Sequence, residues 1–258
     1  MKVVQSLITF CFFSLSAAAT ATEDTWQYEF TAGVMAGQQP WKGISVEALP
    51  FADIRADYGR WAFGGEGVLV QYRLGDDNSR FNIVPGIGYR DEGYGQTMSM
   101  RSKQKSTALV FDGYKPSEEE LLALLEVEYD WLNLQIAQDI SNGSNGTSVS
   151  FSGSYPLFQS EENIQLYISA GLLWRSANYA NALYGIAGSN IDVAKGRQAY
   201  QLKSTTNPFV SVDYLYAFTD QWTLHAGLSY EQLDDAIQRS PLVDKSDLAT
   251  AILTITYR

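Results

Sequence analysis

Cysteine and histidine are almost missing from this sequence of 258 residues, which holds one of each. The single cysteine, Cys11, lies in an apolar segment at the start of the chain. We therefore expect no disulfide, no thiol nucleophile and no thiolate metal ligand in the remainder. A zinc site of clustered histidine and cysteine ligands is excluded as well. The sequence predicts no metal ion, no cofactor and no enzymatic activity.

Long apolar stretches are missing beyond the first residues, so a membrane protein of this sequence would not be built from spanning helices. Residues 1–21 combine Lys2, an apolar run and the small residues Ala19-Thr20-Ala21. This pattern predicts a secretory signal peptide with an A-x-A cleavage site. A single membrane anchor is the alternative, but the apolar run is short for one. Residues 22–258 are then expected to form one domain.

Basic residues are scarce. The chain has 18 lysine and arginine residues against 29 acidic ones, and its net charge is −11. This balance argues against a nucleic-acid partner and against electrostatic docking on anionic lipid.

Alternation between apolar and polar residues is the dominant pattern, in segments of about ten residues separated by Gly, Asn, Asp and Ser. In the closing segment Ala249, Leu253 and Tyr257 fall on one side, whereas Thr250 and Thr254 fall on the other. Such segments predict β-strands with one apolar face and one polar face. The pattern suits a soluble β-sandwich and also a membrane barrel whose apolar face meets lipid.

Aromatic residues favour the barrel. They make up 13% of the chain, and many lie near segment ends, where a membrane barrel places its interface girdles. We therefore predict a transmembrane antiparallel β-barrel in the outer membrane of a Gram-negative cell, in contact with outer-membrane lipid. The predicted interface aromatics are Trp26, Trp131, Trp174, Trp222 and Tyr257.

The strand count depends on residues 60–74. Trp61 and Phe63 have odd numbers, Val68 and Val70 have even numbers, and the Gly64-Gly65-Glu66-Gly67 segment lies between them. Two strands here would give twelve in all, with both chain ends at the periplasmic side. One bent strand with a glycine bulge is the alternative, and a ten-strand barrel is a further one. Residues 177–205 form a long outer loop.

Residues 117–125 look helical, because Ser117 and Glu120 have the spacing of a capping box. From Leu125 onward the pattern alternates and predicts a strand with an acidic inner face. An open pore with these residues would prefer cations. The predicted lumen-lining acids are Glu126, Glu128, Asp130 and Asp213.

Two further features are candidates for function. The loop 177–205 is expected to fold inward as a plug or lid, with Tyr184, Gly185, Lys195 and Arg197 as its marked residues. His225 faces the predicted lumen near serine residues, as a hydrolase would require. However, a histidine in a polar network of the lumen is the interpretation that we favour.

The stretches "YGRWAFGGEGVLVQYRL", "IVPGIGYRDEGY" and "LLWRSANYANALYGI", together with Ser240-Pro241, resemble the MipA/OmpV family of outer-membrane proteins. The resemblance covers most of the chain from about residue 31. It implies an outer-membrane barrel that acts as a scaffold in envelope and peptidoglycan maintenance. Its implied partners are a murein transglycosylase and a peptidoglycan synthase. The alternative is a small porin-like channel or uptake barrel that prefers cations.

Overall fold

The protein folds as a closed barrel of twelve antiparallel strands. The computed structural model describes residues 25–44, 46–65, 67–75, 79–95, 106–159 and 163–258. Each strand pairs with its neighbours in sequence, and the last pairs with the first. The strands are β1 (Trp26–Gly37), β2 (Glu47–Tyr58), β3 (Trp61–Gly64), β4 (Val68–Tyr72), β5 (Phe81–Arg90), β6 (Glu120–Tyr129), β7 (Leu132–Asp139), β8 (Thr147–Gln159), β9 (Ile164–Arg175), β10 (Thr205–Ala217), β11 (Trp222–Gln232) and β12 (Asp247–Tyr257).

Short turns join the strands at one end of the barrel, which we call the turn end, and longer segments join them at the loop end. The longer segments carry the helices α1 (Ala177–Tyr184) and α2 (Asp235–Gln238). They also carry 3-10 helices at Leu109–Phe111, Gly188–Asn190 and Val193–Lys195. None of the helices in the described residues is long and apolar enough to cross a membrane. The predicted signal peptide lies outside the described residues.

Residues 60–74, on which the strand count depends, form two strands, and this confirms the predicted count of twelve. β3 and β4 make a short hairpin, and the tip between them includes Gly64, Gly65 and Gly67 with φ of 76°, 88° and 69°. Glycine adopts such left-handed angles without the steric cost that a side chain would add. The glycine-rich tip therefore turns the chain back near the middle of the wall instead of continuing one bent strand.

The predicted helix over 117–125 is absent. Ser117 lies in an irregular segment, and β6 begins at Glu120. Glu120 pairs with Arg90 across the β5–β6 ladder, so the residue expected to cap a helix lies in a strand. The sheet provides this segment with hydrogen-bond partners along its length, and this outweighs a local capping pattern.

The last strand has the two faces expected from the sequence. Leu253 is 47% exposed on the outside, whereas Thr254 is 5% exposed on the inside. The same alternation runs through β12 from Leu248 to Tyr257. β12 pairs with both β1 and β11, so its backbone groups have partners on both edges, as closure in a membrane requires.

We predict that Leu253→Arg lowers the free energy of unfolding by about 2–4 kcal/mol, because it places a cation on the lipid face near mid-membrane. Thr256→Arg is the control, since Thr256 lies on the inner face near the turn end and is half-buried. It should cost clearly less. Denaturant unfolding of both variants in lipid vesicles measures the difference. Equal losses of stability would contradict the assignment of the two faces.

Candidate functional site in the barrel lumen

Ionisable side chains line the turn-end half of the barrel interior. Glu126 and Glu128 lie on the inner face of β6, and Asp213 lies on the inner face of β10. Three of the four acids predicted to line the lumen are thus brought to one zone. We call this zone the ionic zone; its members are Arg55, Asp57, Arg73, Glu126, Glu128, Asp213 and His225.

Ion pairs within and between strands organise the ionic zone. Arg73 Nη1 lies 2.9 Å from Glu128 Oε2, and Arg55 Nη2 lies 2.8 Å from Asp57 Oδ1. The side chains of Arg73 and Glu128 are 25% and 28% exposed, although they point into the barrel. Water therefore reaches this zone from the turn end. Solvated pairs of this kind contribute little to stability but keep the wall polar.

Asp130 does not belong to the ionic zone, and its predicted place in the lumen is wrong. β6 ends at Tyr129, and Asp130 occupies the tight turn to β7 with φ of 55°. The residue is exposed, and its N–H donates to the carbonyl of Arg80 at 2.9 Å. The alternation that places strand side chains on two faces does not extend into the turn.

His225 contacts a carboxylate. Its Nε2 lies 2.9 Å from Asp213 Oδ1, and Ser211 Oγ donates to the other carboxylate oxygen of Asp213 at 3.0 Å. A hydrolytic triad requires the imidazole to contact the hydroxyl that it activates. Here the Ser211 hydroxyl is directed to Asp213 instead. This arrangement supports the interpretation of His225 as part of a polar network.

Apolar side chains line the interior directly on the loop side of the ionic zone. On β6, Leu124 lies two residues toward the loop end from Glu126. Leu173 and Ile252 are 3% and 7% exposed, whereas Leu49, Phe51 and Leu124 are half-buried. We call these residues the apolar belt; they are Met35, Leu49, Phe51, Leu122, Leu124, Leu173, Phe209 and Ile252.

Buried charges lie beyond the apolar belt. Arg90 Nε is 2.6 Å from Glu120 Oε2, with both side chains at 6% exposure or less. Arg175 Nη1 is 3.6 Å from Glu231 Oε1, and both are also buried. The Arg90 guanidinium lies 3.4 Å from the ring centroid of Tyr179 in α1, a cation–π contact. The contact of Arg90 with Tyr179 joins the barrel wall to the loop 177–205.

A hydrophobic core fills the loop end. Ile186, Ile237 and Leu242 in three different regions of the long segments have no exposed surface. A barrel open at this end would leave them in water, so the segments close over the lumen. We call this core the cap; its members are Trp41, Ile44, Tyr94, Val110, Phe111, Tyr179, Ala180, Leu183, Tyr184, Ile186, Leu202, Leu233, Ile237, Leu242, Val243 and Leu248.

The four residues marked in the loop 177–205 all take part in its packing. Tyr184 is 4% exposed within the cap, and burial raises its pKa to about 12. Gly185 follows α1, and its N–H donates to the carbonyl of Asn181 at 2.9 Å. Arg197 Nη1 donates to the carbonyl of Val110 at 2.7 Å.

Lys195 ties the same loop to the segment before β6. Its Nζ lies 2.8 Å from Asp112 Oδ2. The hydrogen bond and charge of Lys195 lower the pKa of Asp112. Because the lowered pKa keeps this carboxyl ionised, the contact is retained at neutral pH and is lost as the pH falls through that pKa.

Two stretches that carry the family resemblance meet inside the cap. Ser240 Oγ donates to the carbonyl of Tyr184 at 2.7 Å, and both residues are buried. The sequence analysis did not predict that other long segments join the lid. Trp41 and Phe111, which are apolar residues within loop segments, were the signal that could have suggested this.

The predicted interface aromatics lie mostly at the turn end. Trp26 and Trp222 are 51% and 40% exposed there, and the Trp222 ring lies 4.9 Å from that of Tyr257. Trp131 is 58% exposed in the β6–β7 turn. Trp174 lies near the loop end of β9 and is half-buried. The exposed rings at the turn end form one aromatic girdle, as a membrane interface requires.

Comparison with known proteins supports the family resemblance. The family model described as "MltA-interacting protein MipA" matches residues 30–258. The MltA-interacting protein of Escherichia coli (strain K12) is 22% identical over 249 residues, which cover 95% of both chains. The "24 kDa outer membrane protein" of Pasteurella multocida (strain Pm70) is 24% identical over 60% of this chain and 62% of its own. These matches confirm the predicted family and the predicted outer-membrane localisation.

Among solved structures, the NanC porin covers 90% of this chain and 100% of its own at 11% identity, with a TM-score of 0.40. A likeness at this level supports no inference about function.

We predict that Glu120→Ala destabilises the loop end by about 3–5 kcal/mol, because it leaves Arg90 buried without its carboxylate partner. Thermal unfolding in detergent, together with protease cleavage of the cap, measures this loss. The double variant Arg90→Met with Glu120→Leu is the control, because it removes both charges and keeps the volume. It should recover most of the stability. A single variant as stable as the native protein would show that the pair does not hold the cap.

Proposed function

Since the chain belongs to the MltA-interacting protein MipA family, we propose that this outer-membrane β-barrel is a scaffold for enzymes of peptidoglycan turnover. In bacterial barrels the short turns face the periplasm and the long loops face outward. The cap then lies on the outer side, and the ionic zone opens to the periplasm. The cap is the observation that carries this proposal, because a barrel with a packed core across its outer end is poorly suited to pass solutes.

The proposed partners are a murein transglycosylase and a peptidoglycan synthase. The synthase binds either to the transglycosylase or directly to the barrel. The name of the Escherichia coli relative refers to interaction with MltA, and we extend a partner of that class to this chain. Such enzymes act on the periplasmic side of the outer membrane. The binding surface is therefore expected at the turn end, which presents the exposed turns at residues 59–60, 130–131 and 219–221.

A second candidate function is a gated pathway for cations. The acidic residues of the ionic zone favour it. Glu126 accepts a hydrogen bond from the neutral side chain of Asn133, and Asp213 is hydrogen-bonded to His225 and Ser211. The zone thus carries more acid than permanent cation. The two candidates differ in one property, which is whether ions cross the native barrel.

We predict that a short epitope inserted between Asp220 and Gln221, in a turn, abolishes co-purification of the transglycosylase from cross-linked envelopes. The same epitope inserted between Gly188 and Ser189, at the loop end, is the matched control and should leave co-purification unchanged. Both sites are exposed, and exposed loop tips tolerate insertions. The proposal fails if the two insertions have equal effects, or if the native barrel captures no transglycosylase.

A further inference from the structure

Among the described residues, no strand fills the barrel wall between β2 and β5 on the loop side of the β3–β4 hairpin. β3 pairs with β2 from Arg55 to Tyr58, and the ladder of β4 with β5 reaches Gly88, with one more hydrogen bond from the N–H of Tyr89 to the carbonyl of Gly67. Within the described residues, the part of β2 from Glu47 to Ile54 has a ladder only with β1. Three strand spacings separate β2 from β5, so their axes are about 14 Å apart where the hairpin ends. We call this opening the wall gap.

The backbone groups of β2 at the wall gap face the opening and have no ladder partner there among the described residues. Gly65 N–H donates to the carbonyl of Ile54, so the backbone groups of Ile54 face the hairpin side. Backbone direction alternates along a strand, and the groups of Ala52, Pro50 and Ala48 therefore face the same side. Pro50 has no N–H to offer, and within sheets proline is confined to edges and bulges.

The outer border of the wall gap is apolar. Ile54 on β2 is 38% exposed on the outer surface, and Pro50 and Ala52 on the same face are exposed as well. These residues lie on the loop side of the aromatic girdle. The gap therefore opens at a level that an outer-membrane barrel places in the hydrocarbon of the bilayer.

The inner border of the wall gap is formed mainly by the apolar belt. Leu49 and Phe51 point into the barrel from this part of β2, Asp53 follows them next to the hairpin, and Leu124 contacts the position of Gly88, where the ladder of β5 with β4 ends. The polar ionic zone begins two residues further toward the turn end on β6, at Glu126. The gap thus connects the hydrocarbon outside the barrel with the apolar level of its interior.

We propose that the wall gap admits an acyl chain of a membrane lipid, which binds along the apolar belt beneath the cap. The bilayer surrounds the gap with such chains, and apolar side chains at its inner border match them in chemistry. The N–H of Ala48, near the loop end of the gap, is placed to donate to an ester or amide carbonyl of the lipid. This binding requires no protein partner and does not depend on the proposed scaffold role.

The test is photo-cross-linking in native membranes, with p-benzoylphenylalanine in place of Phe51. Mass spectrometry of the irradiated barrel should find a lipid adduct, and the adduct mass distinguishes phospholipid from lipopolysaccharide. The same probe at Ile54 on the outer face is the positive control. At Ser211, on the inner face of β10 next to the ionic zone, it should give no lipid adduct. Mobility that shifts on heating confirms that each variant is folded.

A second variant tests the path of the lipid. Leu49→Arg places a charge at the inner border of the gap and should lower the adduct at position 51 by roughly tenfold or more, because a charge disfavours an apolar neighbour. The adduct at position 54 should not change. The proposal is overturned if position 51 gives no lipid adduct, if it cross-links only to the protein itself, or if Leu49→Arg leaves its adduct unchanged.

Discussion

The pairing of β12 with β1 is the contact on which the rest of the structure depends. No water is available in the hydrocarbon of a bilayer, so a sheet can cross it only when its edges meet. Eight residue pairs from Phe30↔Tyr257 to Gly37↔Thr250 form this closure. Its register sets which faces of β12 and β1 meet lipid, because a slip of one residue would exchange the two faces of a strand. The same rule holds at each of the other ladders, and together they place the aromatic girdle outside and the layers of the lumen inside.

The lumen changes character along the barrel axis, and each layer has a physical reason. Water enters from the turn end, so the ion pairs of the ionic zone remain partly hydrated. The apolar belt offers no hydrogen-bond partners, and the buried charges beyond it lie in close pairs such as Arg90 with Glu120. The cap then buries apolar residues from several loops, so that the loop end is closed by a hydrophobic core and is not an open pore entrance. This order of layers agrees better with a scaffold than with an open channel.

Strand content and facing were predictable from local alternation, whereas contacts between distant segments were not. The two faces of β12 follow directly from the residues 247–258, and the change of parity between Phe63 and Val68 located the β3–β4 hairpin. The spacing of Ser117 and Glu120 was misleading, because a capping pattern does not reveal that Glu120 pairs with Arg90. Asp130 was misplaced because alternation does not show where a strand ends.

The cap is a larger example of contacts between distant segments that local sequence patterns do not predict. The sequence marked Tyr184 and Arg197 as parts of a lid, but it did not show that this lid packs against Trp41, Phe111 and Leu242. These residues lie in separate segments of the chain, and only the closed barrel brings those segments together. The glycines within residues 64–67 indicated that β3 and β4 are short. The consequence, an edge of β2 without a ladder partner among the described residues, depends on the register of the neighbouring strands.

The central claim is that the cap closes the lumen, and the ion conductance of the purified barrel in planar lipid bilayers tests it most directly. The native protein should show no lasting conductance. A variant with Tyr184→Ser and Leu242→Ser, which places two polar residues in the cap core, should open steps of current that carry cations in preference to chloride. A persistent conductance through the native barrel would contradict the account.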